Sequence, residues 1–181
     1  MNKPRIQYFD LETQLIADAV GGWNNAHLMK IAVSVLWDSV DEDYFVYRES
    51  ETQDLFRKME SADLVIGFNT INFDYKVLSP YPTFSLDKIR TFDILKDVNK
   101  ILNHRLSLNA LAECNLGKKK SADGLQSIEW FKQGKMDEII EYCKQDVACT
   151  RDLFLYGQKH GVLKYKTKYG TEKQFKVDWR F

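Results

Sequence analysis

Apolar and polar positions alternate with the period of a strand over Arg5 to Thr13 (RIQYFDLET), which predicts a first strand. Leu28 to Trp37 (LMKIAVSVLW) is long, apolar and β-branched and predicts a second. The acidic turn Asp38 to Asp43 and the run Tyr44 to Arg48 then close a hairpin. At Thr52 to Ala62 the period becomes helical, with Leu55, Phe56 and Met59 on one face and Thr52 as N-cap. Leu64 to Phe68 reads as a short buried strand. Phe73 to Leu78 reads as a helix stopped by Pro80 and Pro82. Ile89 to Phe92 is a fifth strand, and Asp93 starts the next helix. Helical spacing dominates from there, over Ser107 to Cys114, Ile128 to Gln133 and a long run from Met136 to Lys159. The tail, Val162 to Trp179, alternates about Gly170-Thr171 and predicts a β-hairpin set apart from the main sheet. Strands early and helices late predict an α/β fold, a mixed sheet of about five strands flanked by helices.

Composition narrows this picture. A length of 181 residues fits one domain, here 1–181 with 162–181 as the terminal hairpin, and suffices for a substantial core. Only 9 Gly and 3 Pro argue against long linkers or a collagen-like class. Mean hydropathy is −0.42, and no apolar run approaches the ~18 residues of a membrane span. The N-terminus runs into a strand without a secretory apolar segment. Cys114, Cys143 and Cys149 form no CxxC pair, which argues against a disulfide framework or zinc cluster and for a reducing compartment. The expected location is therefore cytoplasmic or nucleoid-associated, not secreted. Zero net charge argues against a histone-like polycation. Residues 1–90 nevertheless carry 9 basic and 14 acidic side chains, against 17 and 12 in 91–181. That split suits a metal site beside a phosphate-binding surface, or is scatter of solvated charge.

Three stretches carry chemistry. In Phe9-Asp10-Leu11-Glu12-Thr13, strand alternation puts Asp10 and Glu12 on one face. Two carboxylates so placed repel unless a cation lies between them, and Mg²⁺ or Mn²⁺ suits all-oxygen ligands. In Gly67-Phe68-Asn69-Thr70-Ile71-Asn72-Phe73-Asp74, a buried strand gives way to a helix, and Asp74 is either a first-turn acid or a site residue. In Tyr142-Cys143-Lys144-Gln145-Asp146, Tyr142 and Asp146 are four apart on a helix. Ile139, Cys143, Val147, Thr150 and Leu153 lie on or beside that face. An aspartate on the inward side of a helix is expensive unless paired or metal-bound.

FDLET, then N-x-x-x-F-D, then Y-x-x-x-D, in this order, resemble the three motifs of the DEDD exonuclease superfamily, and the tyrosine places the resemblance in the DEDDy subclass. The motifs are similar to those of family B DNA polymerase proofreading domains and closest to stand-alone YprB-like ribonuclease H-like exonucleases. The resemblance spans about residues 5–155 by motif. It implies a ribonuclease H-like fold with strand order 3-2-1-4-5. It also implies a 3′-5′ exonuclease that uses two Mg²⁺ (or Mn²⁺) to release nucleoside 5′-monophosphates from DNA or RNA. The implied partner is nucleic acid with a free 3′ end, single-stranded, without membrane or nucleotide cofactor. By position, Asp10, Glu12, Asp74 and Asp146 would hold the ions and Tyr142 would orient the attacking water. Leu11 and Thr13 would contact the 3′-terminal nucleotide, and Asn69 matches the motif asparagine or stabilises a turn. Alternatives are a structure-specific endonuclease, or a non-catalytic nucleic-acid-binding or interaction module of the same fold.

Other positions have two readings each. Asp93 reads as a helix cap before a metal ligand. Lys118, Lys119 and Lys120 form a basic loop for phosphates or for solvent. Lys164, Lys166 and Lys168 would share one strand face, against a substrate backbone or solvent. His27, His104 and His160 lack ligand spacing. Trp23, Trp37, Trp130 and Trp179 read as core rather than base-stacking platforms.

Overall fold

A computed structural model describes residues 3–81, 85–118 and 124–180. Five strands form one sheet: β1 (Ile6–Thr13), β2 (Ile31–Asp38), β3 (Asp43–Tyr47), β4 (Leu64–Gly67) and β5 (Thr91–Asp93). Their order is β3-β2-β1-β4-β5. β1 pairs antiparallel with β2, and β2 with β3, whereas β1–β4 and β4–β5 are parallel. The helices are α1 (Thr52–Glu60), α2 (Asp74–Leu78), α3 (Ile94–Leu102), α4 (Leu108–Leu116), α5 (Gly124–Lys132) and α6 (Met136–His160). β6 (Val162–Lys166) and β7 (Glu172–Lys176) make a separate antiparallel hairpin. This is the mixed five-stranded sheet, flanked by helices, that the motifs imply.

Strand alternation divides the interior in two. Tyr8 of β1, with Val33, Ile66, Ile94 and Leu111, faces the long helix α6 through Ile139, Cys143 and Val147. Phe9 and Leu11, one residue out of phase, face the opposite core with Leu55, Phe56, Met59 and Val77. Asp10 and Glu12 share the parity of Tyr8, so they point towards α6. The hairpin adds Leu163, Tyr165, Phe175 and Trp179 to the α6 side. Asn115 docks it as a short strand would, its amide donating to Lys164 O while its carbonyl accepts from Lys164 N, both at 2.8 Å. Trp179 stacks on Phe154 with ring centroids 5.6 Å apart, and its Nε1 donates to Asp97 Oδ2 at 2.8 Å.

Several boundaries differ from expectation for local reasons. β2 starts at Ile31, not Leu28, because Lys30 adopts a left-handed backbone (φ 57°) that no strand continues through. Residues before it form 3₁₀ turns at Ala17–Val20 and Trp23–Leu28. Thr52 does not cap α1. The chain enters through a 3₁₀ turn at Glu49–Glu51, where the Glu51 carboxylate accepts from Arg48 N at 2.8 Å. β5 begins at Thr91 because Ile89 still closes a turn onto Leu86 O. α5 is longer than its apolar pattern indicates. The hairpin loop spans residues 167–171, so Lys168 leaves the strand and the three lysines share no face. Lys164 pairs with Glu172 at 3.2 Å and Lys166 with Glu113 at 3.3 Å, which occupies both in local ion pairs. Lys118 pairs with Asp152 at 2.6 Å. Pro82, Lys119 and Lys120 lie outside the described residues.

Candidate active site

The site lies where the parallel strands β1 and β4 end, as ligand sites of open α/β sheets commonly do. Near its end β1 shifts register: Glu12 faces Val33 and Thr13 faces Ile31, leaving Ala32 unmatched on β2. Such bulges re-aim side chains beside active sites. Asp10 and Glu12 precede this shift and reach the face where α6 crosses by strand alternation. From α6, Asp146 meets them, and oxygens of Asp10, Glu12 and Asp146 lie within 4.8 Å of one another. Tyr142, one helical turn before Asp146, is buried in the wall of the same cleft. The cleft encloses about 660 Å³.

Asp74 enters from the other side, as the first residue of α2. It lines the cleft and is only 2 % exposed, but it stands outside the close trio. Its turn is built tightly. Gly67 ends β4 where any Cβ would overlap Thr70 Oγ1 and come within 3.1 Å of Phe9 O. Asn69 then takes a left-handed conformation (φ 68°), which asparagine tolerates. Asp93 pins this loop: Oδ1 accepts from Asn69 N at 2.9 Å and Oδ2 from Ile71 N at 3.1 Å. Asp93 also caps α3, accepting from Lys96 N at 3.1 Å. The capping role read from the sequence is present, together with a loop-holding role that spacing did not reveal.

Electrostatics mark the cluster as unfavourable by itself. Burial, with further contributions from the charges of Asp93 and Glu12, raises the Asp74 carboxyl to about pKa 8. The buried Cys143 thiol, pushed well above its ordinary range by burial, also feels the charges of Asp10, Glu12, Asp146 and Asp74. All four carboxylates thus bear on one small volume. A divalent cation reverses this logic, because it favours the ionised carboxylates that burial disfavours. The donor set is oxygen only, which fits a hard ion such as Mg²⁺ or Mn²⁺.

Three supporting contacts were not legible in the sequence. Ser127 on α5, 1 % exposed, donates from Oγ to Glu12 Oε2 at 2.5 Å. Nothing local in the sequence distinguishes that serine. Cys143 lies with its sulfur 3.5 Å from Asp10 O and 3.7 Å from Asp10 Oδ2. Arg105 donates to Asn69 Oδ1 at 3.1 Å, placing a guanidinium at the rim. Leu11 and Thr13 line the cleft, although Leu11 packs mainly in the opposite core and Thr13 Oγ1 donates to Leu15 O at 2.9 Å. Trp23 departs from expectation: it is 68 % exposed in the cleft wall, whereas Trp179 is core.

The model of the RNase H superfamily matches residues 7–156. The chain belongs to the RNase H superfamily. Among solved structures, this superfamily member is similar to the family B DNA polymerase of the hyperthermophilic archaeon Pyrobaculum calidifontis, with TM-score 0.63 and 18 % identity. That match covers 86 % of this chain and 25 % of the polymerase, and it establishes the shared fold. Comparison with curated proteins found no match. All three motifs fall inside the span matched by the superfamily. The superfamily fold and the acidic trio together support a nuclease that acts on nucleic acid.

Proposed function

We propose that the protein is a metal-dependent 3′-5′ exonuclease of the DEDDy type, hydrolysing the 3′-terminal phosphodiester of DNA or RNA to nucleoside 5′-monophosphates. The observation that carries this reading is the meeting of Asp10 and Glu12 from β1 with Asp146 from α6, within 4.8 Å, beside Tyr142. Carboxylates of the first and third motifs, far apart in sequence, share one small volume, which supports this reading. Asp10, Glu12 and Asp146 would hold a divalent ion, with Asp74 available to a second. When bound, such ions stabilise the attacking and leaving oxygens of an in-line displacement.

The chain's own residues supply positioning. Ser127 fixes one Glu12 oxygen and with it the orientation of the carboxylate. Tyr142 is held on the long, well-packed α6, so its hydroxyl serves as a fixed hydrogen-bond partner for a water aligned with the scissile phosphorus. A phenolic hydroxyl both donates and accepts a hydrogen bond, which suits it to orienting that water. Leu11 and Thr13 form the floor under the terminal nucleotide. Asn69 and Arg105 stand at the rim, where Arg105 is suited to phosphate.

The test uses 5′-labelled DNA and RNA, single- and double-stranded, in Mg²⁺, Mn²⁺ or EDTA. A ladder shortening stepwise from the 3′ end in metal, nothing in EDTA, and intact circular single strands are expected. Cleavage of circles would make the protein an endonuclease of the same fold. Binding without any hydrolysis would make it a binding module.

A further inference from the structure

Trp23 is the anomaly of the cleft. Large aromatic side chains are usually mostly covered, yet this one is 68 % exposed. It does not hang on a loose loop. Gly21 and Gly22 both have positive φ, 81° and 109°, and build the turn that presents it. Gly22 N closes onto Ala17 O at 2.8 Å, Asn25 N onto Gly22 O at 3.0 Å, and the Asn25 amide onto Val20 O at 2.8 Å. The indole leans on Phe73 with ring centroids 5.7 Å apart and planes at 67°. Phe73 immediately precedes Asp74. Leu125 of α5, 64 % exposed, lines the same cleft from another element. Two costly apolar surfaces are therefore held open in a cleft that also contains the carboxylates.

We propose that Trp23 is a stacking platform for an unpaired nucleobase at or next to the 3′ end of the bound strand. The proposal rests on the exonuclease reading and adds a determinant of substrate class. The carboxylates and Trp23 line one cleft of about 660 Å³, and the indole offers a π-face to a base carried into it. A base inside a duplex has both faces covered by its neighbours, so the platform selects single-stranded or frayed ends. Stacking is tolerant of base identity, which makes the selection one of strandedness rather than sequence. Exposed in the wall of a cleft rather than on an open face, the indole suits a flat base better than a protein partner.

The test compares wild type, Trp23→Phe and Trp23→Ala on short 5′-labelled single strands, either intact or abasic at the terminal or penultimate nucleotide. Binding is read by fluorescence anisotropy on strands capped by a phosphorothioate linkage, and hydrolysis by kcat and KM on uncapped strands. Trp23→Ala is expected to weaken binding and raise KM about tenfold or more on intact strands, with kcat changed far less. Trp23→Phe should stay within about threefold of wild type. On the strand lacking the stacked base, Trp23→Ala should cost nothing further. Equal affinity of wild type and Trp23→Ala for intact strands, or the same loss on every abasic strand, overturns the platform. A Trp23-dependent affinity for intact strands without hydrolysis keeps the platform and overturns the exonuclease reading. Hydrolysis with Trp23-independent affinity and KM does the reverse.

Discussion

Replacing Asp146 by asparagine should stabilise the metal-free protein and destroy its response to metal. In the wild type, carboxylate oxygens of Asp10, Glu12 and Asp146 come within 4.8 Å of one another. At that separation each pair of unit charges repels by about 0.9 kcal/mol in bulk water, and about 3.5 kcal/mol at an effective dielectric of 20. Asp146→Asn removes two of the three pairs, so the expected gain is about 2–7 kcal/mol before any loss of local hydrogen bonding. At about 2–4 °C per kcal/mol for a protein this size, the melting temperature in EDTA should rise by at least about 4 °C. Wild type should recover about 2.7 kcal/mol of that difference when Mn²⁺ is present at a hundredfold its Kd. Asp146→Asn should show little such rise and no nuclease activity. The assay is a pair of thermal melts, with EDTA and with Mn²⁺, for each protein. A variant that melts lower than wild type in EDTA yet still gains stability from Mn²⁺ would refute the view that these carboxylates form a strained cation site.

Four other changes probe separate parts of the molecule. Ser127→Ala removes the 2.5 Å bond to Glu12 and should weaken Mn²⁺ binding, measured by calorimetry, about 10- to 100-fold. Tyr142→Phe keeps the packing but loses the hydroxyl, so single-turnover hydrolysis should slow about 10²–10³-fold with substrate affinity preserved; rates within about twofold of wild type would remove Tyr142 from the chemistry. Gly67→Ala forces a Cβ into Thr70 and towards Phe9 O, and should cost about 1–3 kcal/mol in urea unfolding. Asp38, remote from the cleft, tests the pH dependence of the fold. Burial by itself would raise its pKa, but bonds from Val40 N, Gln7 and Arg5 outweigh burial and bring it to about 2 from 3.8. Its contribution, about 2 kcal/mol, is therefore complete above about pH 4 and lost as pH falls through about 2. Asp38→Asn should flatten that acid limb of the urea midpoint.

Much of this protein is written locally. Strand alternation by itself puts Asp10 and Glu12 on the face of Tyr8 and opposite to Leu11, because a strand has no freedom in which side successive residues take. Helical spacing likewise puts Asp146 one turn from Tyr142, beside the apolar stripe of Ile139, Cys143 and Val147. The order β3-β2-β1-β4-β5 and the motif set followed from resemblance, which condenses tertiary information that no single window contains. What remained for the tertiary structure were relations between distant segments. Ser127 is an ordinary helical serine until α5 is laid across Glu12, 115 residues away in sequence. Asp93 caps its own helix, and only β4–β5 pairing brings it under Asn69 and Ile71. Trp23 reads as core because its exposure depends on where the Gly21-Gly22 turn lands. Asp74 stands in the cleft yet outside the close trio because it enters from α2, which packs in the core opposite to that of α6. Periodicity determines which face a side chain takes; only the assembled chain determines what waits on the other side of that face.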